Sequence, residues 1–405
     1  MTSLAIPAVF MRGGTSKAIM FHARDLPSDR TQWDAIFLAA MGSPDPYGRQ
    51  LDGMGGGVSS LSKACIIARS MRDDADVDYT FAQVQLRESQ VDYKGNCGNM
   101  LSAVGPFAVD EGLVPAAGDS ATVRIFNTNT RKLIHARFPL QDGRAKVEGE
   151  LAIPGVHGTG APVKLDFIAP GGATTGTLLP TGRPLDRLEV PGLGTLDVSM
   201  VDAANACAFV RARDVGLTGR ELPEELEADP AALAKLAAIR IAASQAMGIA
   251  KSAAEARAIA VVPFICIVSA RADAPTLSGE HVRAGDIDFA ARFVSNGQPH
   301  RALPLTGSLC TAVAARIAGT VVAEALGAAA GEGALRIGMP SGVLTVAADV
   351  APGEGGGWVA RSGSFYRTAR RLFDGRVHVS LSNTAAGAAR GPHRLTEVAS
   401  PAGSC

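Results

Sequence analysis

Apolar and polar residues alternate along 79–86 and 122–126, the period-two pattern of half-buried strands, with Gly, Pro, Asn and Asp turns between such stretches. Two other segments carry almost no charge on any side. Residues 97–109 and 306–317, the second with Arg316 near its end, are small and apolar all round, which predicts helices enclosed by protein on every face. Ala-rich residues 230–247 predict a further helix, with 32–41 as a shorter counterpart. The expectation is an α+β protein in which a strand layer curls around a central helix.

The pattern is written twice. Met11-Arg-Gly-Gly-Thr-Ser-Lys-Ala-Ile-Met-Phe-His-Ala-Arg-Asp-Leu26 answers Met200-Val-Asp-Ala-Ala-Asn-Ala-Cys-Ala-Phe-Val-Arg-Ala-Arg-Asp-Val215, each reading strand, turn, strand, then Ala-Arg-Asp. Cys97-Gly-Asn-Met-Leu-Ser-Ala-Val104 answers Thr306-Gly-Ser-Leu-Cys-Thr-Ala-Val313, and Val123-Arg-Ile125 answers Leu335-Arg-Ile337. Three matches in one order point to a duplication. Two pseudo-symmetric domains are expected, 1–190 and 191–405, with the turn-rich stretch 162–184 as a linker or the end of the first. The Gly cluster 353–357 reads as a hairpin connection.

A length of 405 residues fits two domains, and 47% hydrophobic against 19% charged residues supplies real cores. Lys+Arg and Asp+Glu both number 39, so no bulk field recruits nucleic acid or an anionic membrane. The longest mainly apolar run, 259–270, is short of the ~18 residues of a membrane span, and the first residues lack a secretory signal. A soluble cytoplasmic protein is expected, with neither nucleic-acid nor membrane partner, and a homodimer is a possible assembly. The six cysteines and seven histidines are scattered without C-x-x-C or H-E-x-x-H spacing, so no metal site or disulfide framework is expected.

Candidate chemistry gathers at two residues. Cys97, in Asn96-Cys97-Gly98-Asn99, lies at a helix start, where unpaired N–H groups and the dipole favour a thiolate; the alternative is a packed small residue. Lys63, in Ser59-Ser60-Leu-Ser-Lys63, runs from a polar loop into an apolar strand, and the repeat sets Phe264 opposite it. Desolvation there would let a neutral amine take a proton; the alternative is a lysine snorkelling to water. The loops Arg12-Gly-Gly-Thr15-Ser16-Lys17 and Gly53-Met-Gly-Gly-Gly-Val-Ser59-Ser60 match neither phosphate-loop nor dinucleotide spacing, but their N–H and hydroxyl groups suit carboxylates. Thr306-Gly307-Ser308 would make a second cradle at the other helix start. Two helix N-termini facing each other across a cleft fit a small polycarboxylate substrate. His300 is a further candidate contact, or a loop histidine capping a turn. A two-base racemase would need a second base at Thr306, which a hydroxyl cannot supply, so a proton shift within one substrate fits better.

Met11-Arg-Gly-Gly-Thr-Ser-Lys17, Gly42-Ser-Pro-Asp-Pro-Tyr-Gly-Arg-Gln-Leu-Asp-Gly-Met-Gly-Gly56, Ser60-Leu-Ser-Lys63, Asn96-Cys-Gly-Asn99 and Val104-Gly-Pro-Phe-Ala108 together resemble the 2-methylaconitate isomerase (PrpF) family, over nearly the whole chain. The resemblance implies a diaminopimelate epimerase-like fold, no cofactor, Lys63 as general base and Cys97 as the active-site cysteine. It implies an allylic shift of a C=C bond, or cis-trans isomerisation, in an unsaturated tricarboxylate such as aconitate, 2-methylaconitate or 4-oxalomesaconate. Phe81-Ala-Gln-Val looks like the oxalomesaconate tautomerases, and Pro44-Asp-Pro-Tyr-Gly like the aconitate and methylaconitate isomerases. N–H groups at Gly98, Asn99, Gly307 and Ser308 would carry the developing negative charge. The rival readings are a racemase on the same fold and a non-catalytic polycarboxylate-binding protein.

Overall fold

The computed structural model describes residues 3–93, 97–259, 262–295, 297–327, 333–354 and 356–381. Its first half contains β1 (Ser3–Gly13), β2 (Ser16–His22), α1 (Trp33–Met41), β3 (Lys63–Arg69), β4 (Val77–Val84), α2 (Gly98–Asp110), β5 (Ser120–Asn127), β6 (Lys132–Gln141) and β7 (Val163–Ile168). The second contains β8 (Asp186–Val190), β9 (Gly194–Ala203), β10 (Asn205–Arg211), α3 (Pro230–Ala246), β11 (Phe264–Ala270), β12 (Phe289–Ser295), α4 (Leu305–Ala315), β13 (Leu335–Met339), β14 (Gly342–Pro352), β15 (Trp358–Arg367) and β16 (Ala369–Ser380). Shorter strands and helical turns fill the connections.

The pairings read the same from either end. From β16 the order runs β1, β2, β3, β4, β5, β6, β7, and from β8 it runs β9, β10, β11, β12, β13, β14, β15. In each half the second to third and fourth to fifth of the numbered strands β1–β7 and β9–β15 are parallel and the rest antiparallel. Antiparallel β7 and β15 join the halves. This is the α+β, pseudo-symmetric, diaminopimelate epimerase-like fold, and all three sequence matches fall on equivalent elements.

Each curled sheet holds one helix inside and one outside. Strands β2 and β3 are buried on both faces, so they read as apolar runs rather than alternations. Met20, Cys65 and Ile67 pack inward with α2, whereas Ile19, Phe21, Ala64 and Ile66 pack outward with Ile36 and Phe37 of α1. In the second half α3, capped by the Asp229 carboxylate on the Ala232 N–H, lays Leu236, Ile239 and Ala243 on Val210, Ile265 and Ile267. Every residue of α2 from Met100 to Val109 is buried. A Cβ on Gly105 would come within 2.7 Å of the Phe138 ring, so the missing side chain lets the helix lie directly on β6.

The turn-rich stretch 162–184 carries the end of the first half: Val163–Ile168 is a strand that pairs with β6 and, across to the second half, with β15. Its Lys164 and Asp166, an ion pair, alternate with Val163, Leu165 and Phe167, the period-two pattern of a strand. The sheet runs on across residue 190. Strand β8 lies before that point yet pairs with β9, and β16, at the other end of the chain, pairs along the whole of β1. The Gly cluster does connect a hairpin, β14 to β15.

Candidate active site

Lys63 opens β3, and the antiparallel register sets it opposite Gln83 on β4. It is 7% exposed, so the amine does not snorkel to water. Its Nζ donates to Gln83 Oε1 and stands 5.2 Å from the centre of the Phe81 ring. The Gln83 amide is held in that orientation because Nε2 donates to the carbonyls of Ser59, Ser62 and Val84. Among the described residues no carboxylate pairs with Lys63.

The loop before β3 fixes this corner. The Asp45 carboxylate accepts from the N–H groups of Tyr47, Arg49 and Gln50, and those bonds hold it below the usual carboxylate range. Gln50, 1% exposed, donates to Ser43 Oγ and accepts from the Gly57 N–H and from Ser62 Oγ at 2.6 Å. A Cβ on Gly53 would lie 2.1 Å from the Gly42 nitrogen, so the loop closes only over glycine. Ser59 is exposed and Ser60 half-buried in a single turn, Ser59–Leu61; the buried hydroxyl belongs to Ser62.

Cys97 is the N-cap of α2, where its Sγ accepts from the Met100 N–H at 3.5 Å and lies 4.0 Å from Ser16 Oγ. Asn96 lies outside the described residues. Cys65 shares the inward face of β3 with Lys63, two residues along, and its thiol is pushed up by burial and then by the Cys97 sulfur, with the Tyr79 hydroxyl and Lys63 opposing. Cys65 thus senses both the Lys63 amine and the Cys97 sulfur. The turn between β1 and β2 sits on the same helix start. A Cβ on Gly13 would be 2.7 Å from the Asn99 carbonyl oxygen, and one on Gly14, at φ +52°, 2.3 Å from Asn99 Oδ1. Thr15, exposed, directs its N–H at Asn99 Oδ1 (3.5 Å).

The second helix start faces the first. A Cβ on Gly98 would fall 2.7 Å from Leu305 Cδ1, so the two N-termini abut. The cap of α4 is Pro304, which places Thr306, half-exposed, inside the first turn rather than at the position Cys97 holds on α2. Gly307 is covered by the Phe293 ring, and Ser308 Oγ donates to the Leu305 carbonyl (2.8 Å), spending its hydroxyl within the helix. His300 Nε2 lies 2.6 Å from Ser295 Oγ, its ring 6.0 Å from that of Phe264, and burial lowers its pKa. His300 is therefore brought to the counterpart of Lys63 rather than to Lys63.

One residue that sequence reasoning passed over stands in the cleft. Arg367, 8% exposed, donates from Nε to Asn99 Oδ1 (3.1 Å) and from Nη1 to the Tyr366 carbonyl (2.8 Å), and lines a cavity of about 230 Å³ with Thr15, Asn99, Pro304 and Met339. A sequence signal existed: Arg367 is in phase with buried Phe365 on β15, so it points inward. No group of three or more candidate metal ligands occurs among the described residues, and no helix there is long and apolar enough to cross a membrane.

The family model described as "PrpF protein" matches residues 3–380. The chain belongs to the PrpF family. It is 42% identical to "3-methylitaconate isomerase" of Eubacterium barkeri over 93% of this chain and 97% of the relative. It is 39% identical to "2-methyl-aconitate isomerase" of Shewanella oneidensis, covering 93% and 97%, and 39% identical to "4-oxalomesaconate tautomerase" of Pseudomonas putida, covering 92% and 95%. The crystal structure of "Methylitaconate-delta-isomerase" superposes with a TM-score of 0.88 at 40% identity, over 98% of this chain and all of the other. This PrpF chain is accordingly an isomerase.

Proposed function

We propose that this PrpF isomerase moves a C=C bond in a small unsaturated tricarboxylate such as aconitate, 2-methylaconitate or 4-oxalomesaconate by removing and returning one proton. The observation that carries the reading is a buried Lys63 amine whose fixed partner is the neutral Gln83 amide, on the sheet face that also meets the Cys97 helix start. An amide accepts a hydrogen bond from amine or ammonium alike, so the same contact serves before and after proton transfer.

In this mechanism Lys63 takes a proton from carbon conjugated to a carboxylate. The electron pair spreads as a dienolate onto that carboxylate, which rests on the first-turn N–H groups of Gly98 and Asn99 with Thr306 and Gly307 opposite. Reprotonation at the far end of the allyl unit, by the Lys63 ammonium or the Cys97 thiol, shifts the double bond. Residues 1–190 supply base and thiol, and residues 191–405 supply the second helix start. The five cysteines among the described residues are all thiols, which suits a reducing cytoplasm.

A racemase is disfavoured because the residues that the repeat sets against Lys63 and Cys97, Phe264 and Thr306, supply no second base. Proton NMR in deuterated water, with aconitate, 2-methylaconitate and 4-oxalomesaconate as substrates, tests the reading. Double-bond migration with deuterium uptake, abolished by Lys63→Ala, is the expected result; neither event with any of the three acids overturns it.

A further inference from the structure

Arg367 carries a charge to which no carboxylate among the described residues is paired. Two other well-buried arginines show what a structural role looks like here. Arg292 donates to the carbonyls of Glu221, Ala291 and Gly338, and Arg240 to those of Ala256, Ile259 and Val262. Each guanidinium is ringed by acceptors from the backbone it braces. Arg367 instead has one amide oxygen, Asn99 Oδ1, and one carbonyl on its own strand, while Phe365 backs it at 5.2 Å from the ring centre. Among the described residues no carboxylate forms an ion pair with it. Burial alone lowers its pKa to about 10, so it remains a cation at neutral pH.

The place matters as much as the charge. The cavity it lines is closed on one side by Thr15 and Asn99 and on the other by Ala302, Pro304 and Met339. At about 230 Å³ it has room for a carboxylate-bearing arm, and it is small against the ~300–1,000 Å³ of pockets that enclose a drug-sized ligand. Asn99 sits two residues beyond Cys97 on the same helical turn, so the guanidinium flanks the reacting end of the cleft without touching the sulfur. A guanidinium fork matches a carboxylate in two parallel hydrogen bonds, and a desolvated one gains most from such a partner.

We propose that Arg367 clamps the carboxylate furthest from the carbon that loses its proton, and thereby makes this enzyme prefer acids with a third carboxylate. The assignment of that arm rests on the reading above; the anion site itself does not. 3-Methylitaconate carries two carboxylates, whereas 2-methylaconitate and 4-oxalomesaconate carry three, so the clamp distinguishes among the substrates in the relatives' names.

Two saturated acids that cannot isomerise test it by calorimetry at fixed ionic strength: propane-1,2,3-tricarboxylate, and methylsuccinate, which lacks one terminal carboxylate. Wild-type enzyme should bind the tricarboxylate at least tenfold more tightly. Arg367→Gln should remove most of that preference, weakening the tricarboxylate 10- to 100-fold and methylsuccinate less than threefold, with Arg367→Lys between. Equal affinities of the wild type for the two acids overturn the proposal without any variant, which matters should Arg367→Gln fail to fold. A folded Arg367→Gln that keeps the preference overturns it as well. Because neither acid reacts, the clamp stands or falls independently of double-bond migration.

Discussion

Lys63 Nζ donates to Gln83 Oε1 across the β3–β4 pair, and three backbone carbonyls hold the Gln83 amide with its oxygen towards the amine. A carboxylate of the same length would keep the geometry and add a negative charge, favouring the ammonium form. Gln83→Glu is therefore expected to lose activity at neutral pH and to recover it at alkaline pH. Gln83→Leu should depress kcat across the profile instead. A Gln83→Glu profile that overlays the wild type would show that the amine does not take the proton.

The second reactive group makes a separate prediction. Cys97 is 9% exposed, whereas Cys65, Cys207, Cys266 and Cys310 are fully buried. In a Cys405→Ser background, methyl methanethiosulfonate should modify one thiol rapidly, with loss of activity in step, and propane-1,2,3-tricarboxylate should slow both. Peptide mass spectrometry identifies the residue. Modification of another cysteine first, or full activity with Cys97 blocked, would remove the sulfur from the site.

What could be read from the chain and what could not follows from how each residue signals itself. The burial of Lys63 and the helix-start place of Cys97 were legible because a lysine entering an apolar strand, and a cysteine between Asn and Gly ahead of an uncharged segment, break local patterns. The duplication was legible because its matches lie on inner strands and enclosed helices, where packing restricts the side chains. Gln83 was not, since a glutamine in a strand has no distinctive neighbours until the register with β3 is known. Arg367 lies far along the chain from Asn99 and meets it only because β15 returns to the joining strand. Ser308 was overrated: a serine one turn into a helix can satisfy its hydroxyl on the carbonyl behind it, as it does on Leu305.

Gly14 separates strain from site disruption. Alanine there must adopt φ +52° and place its Cβ 2.3 Å from Asn99 Oδ1 and 3.1 Å from Arg367 Cδ. Gly118, at φ +79° with nothing within 4 Å, isolates the backbone effect, ~1–2 kcal/mol. Gly14→Ala is expected to lose more stability than Gly118→Ala and to raise KM for a tricarboxylate about tenfold with a smaller change in kcat. Thermal melts and steady-state kinetics on both variants check this. Indistinguishable variants would mean that the turn does not support the Asn99–Arg367 contact.

Glu111, at the end of α2, ties both ends of the chain to the helix. Its carboxylate lies 3.0 Å from His22 Nε2 on β2 and accepts from Arg371 on β16 at 2.7 Å. Burial pushes the carboxyl up, but the hydrogen bonds and charges of His22 and Arg371 outweigh it, so the folded-state pKa lies below the ordinary value. A depressed carboxyl adds stability that is fully present above the unfolded-state pKa of ~4.3 and is lost as pH falls through the lower folded value. Glu111→Gln should therefore destabilise the protein by ~1–3 kcal/mol at pH 7. The difference from wild type in urea midpoint should shrink from about pH 5 downward, as the wild-type carboxylate is protonated. Were the difference to stay constant to pH 3, the bridge would contribute through packing rather than charge.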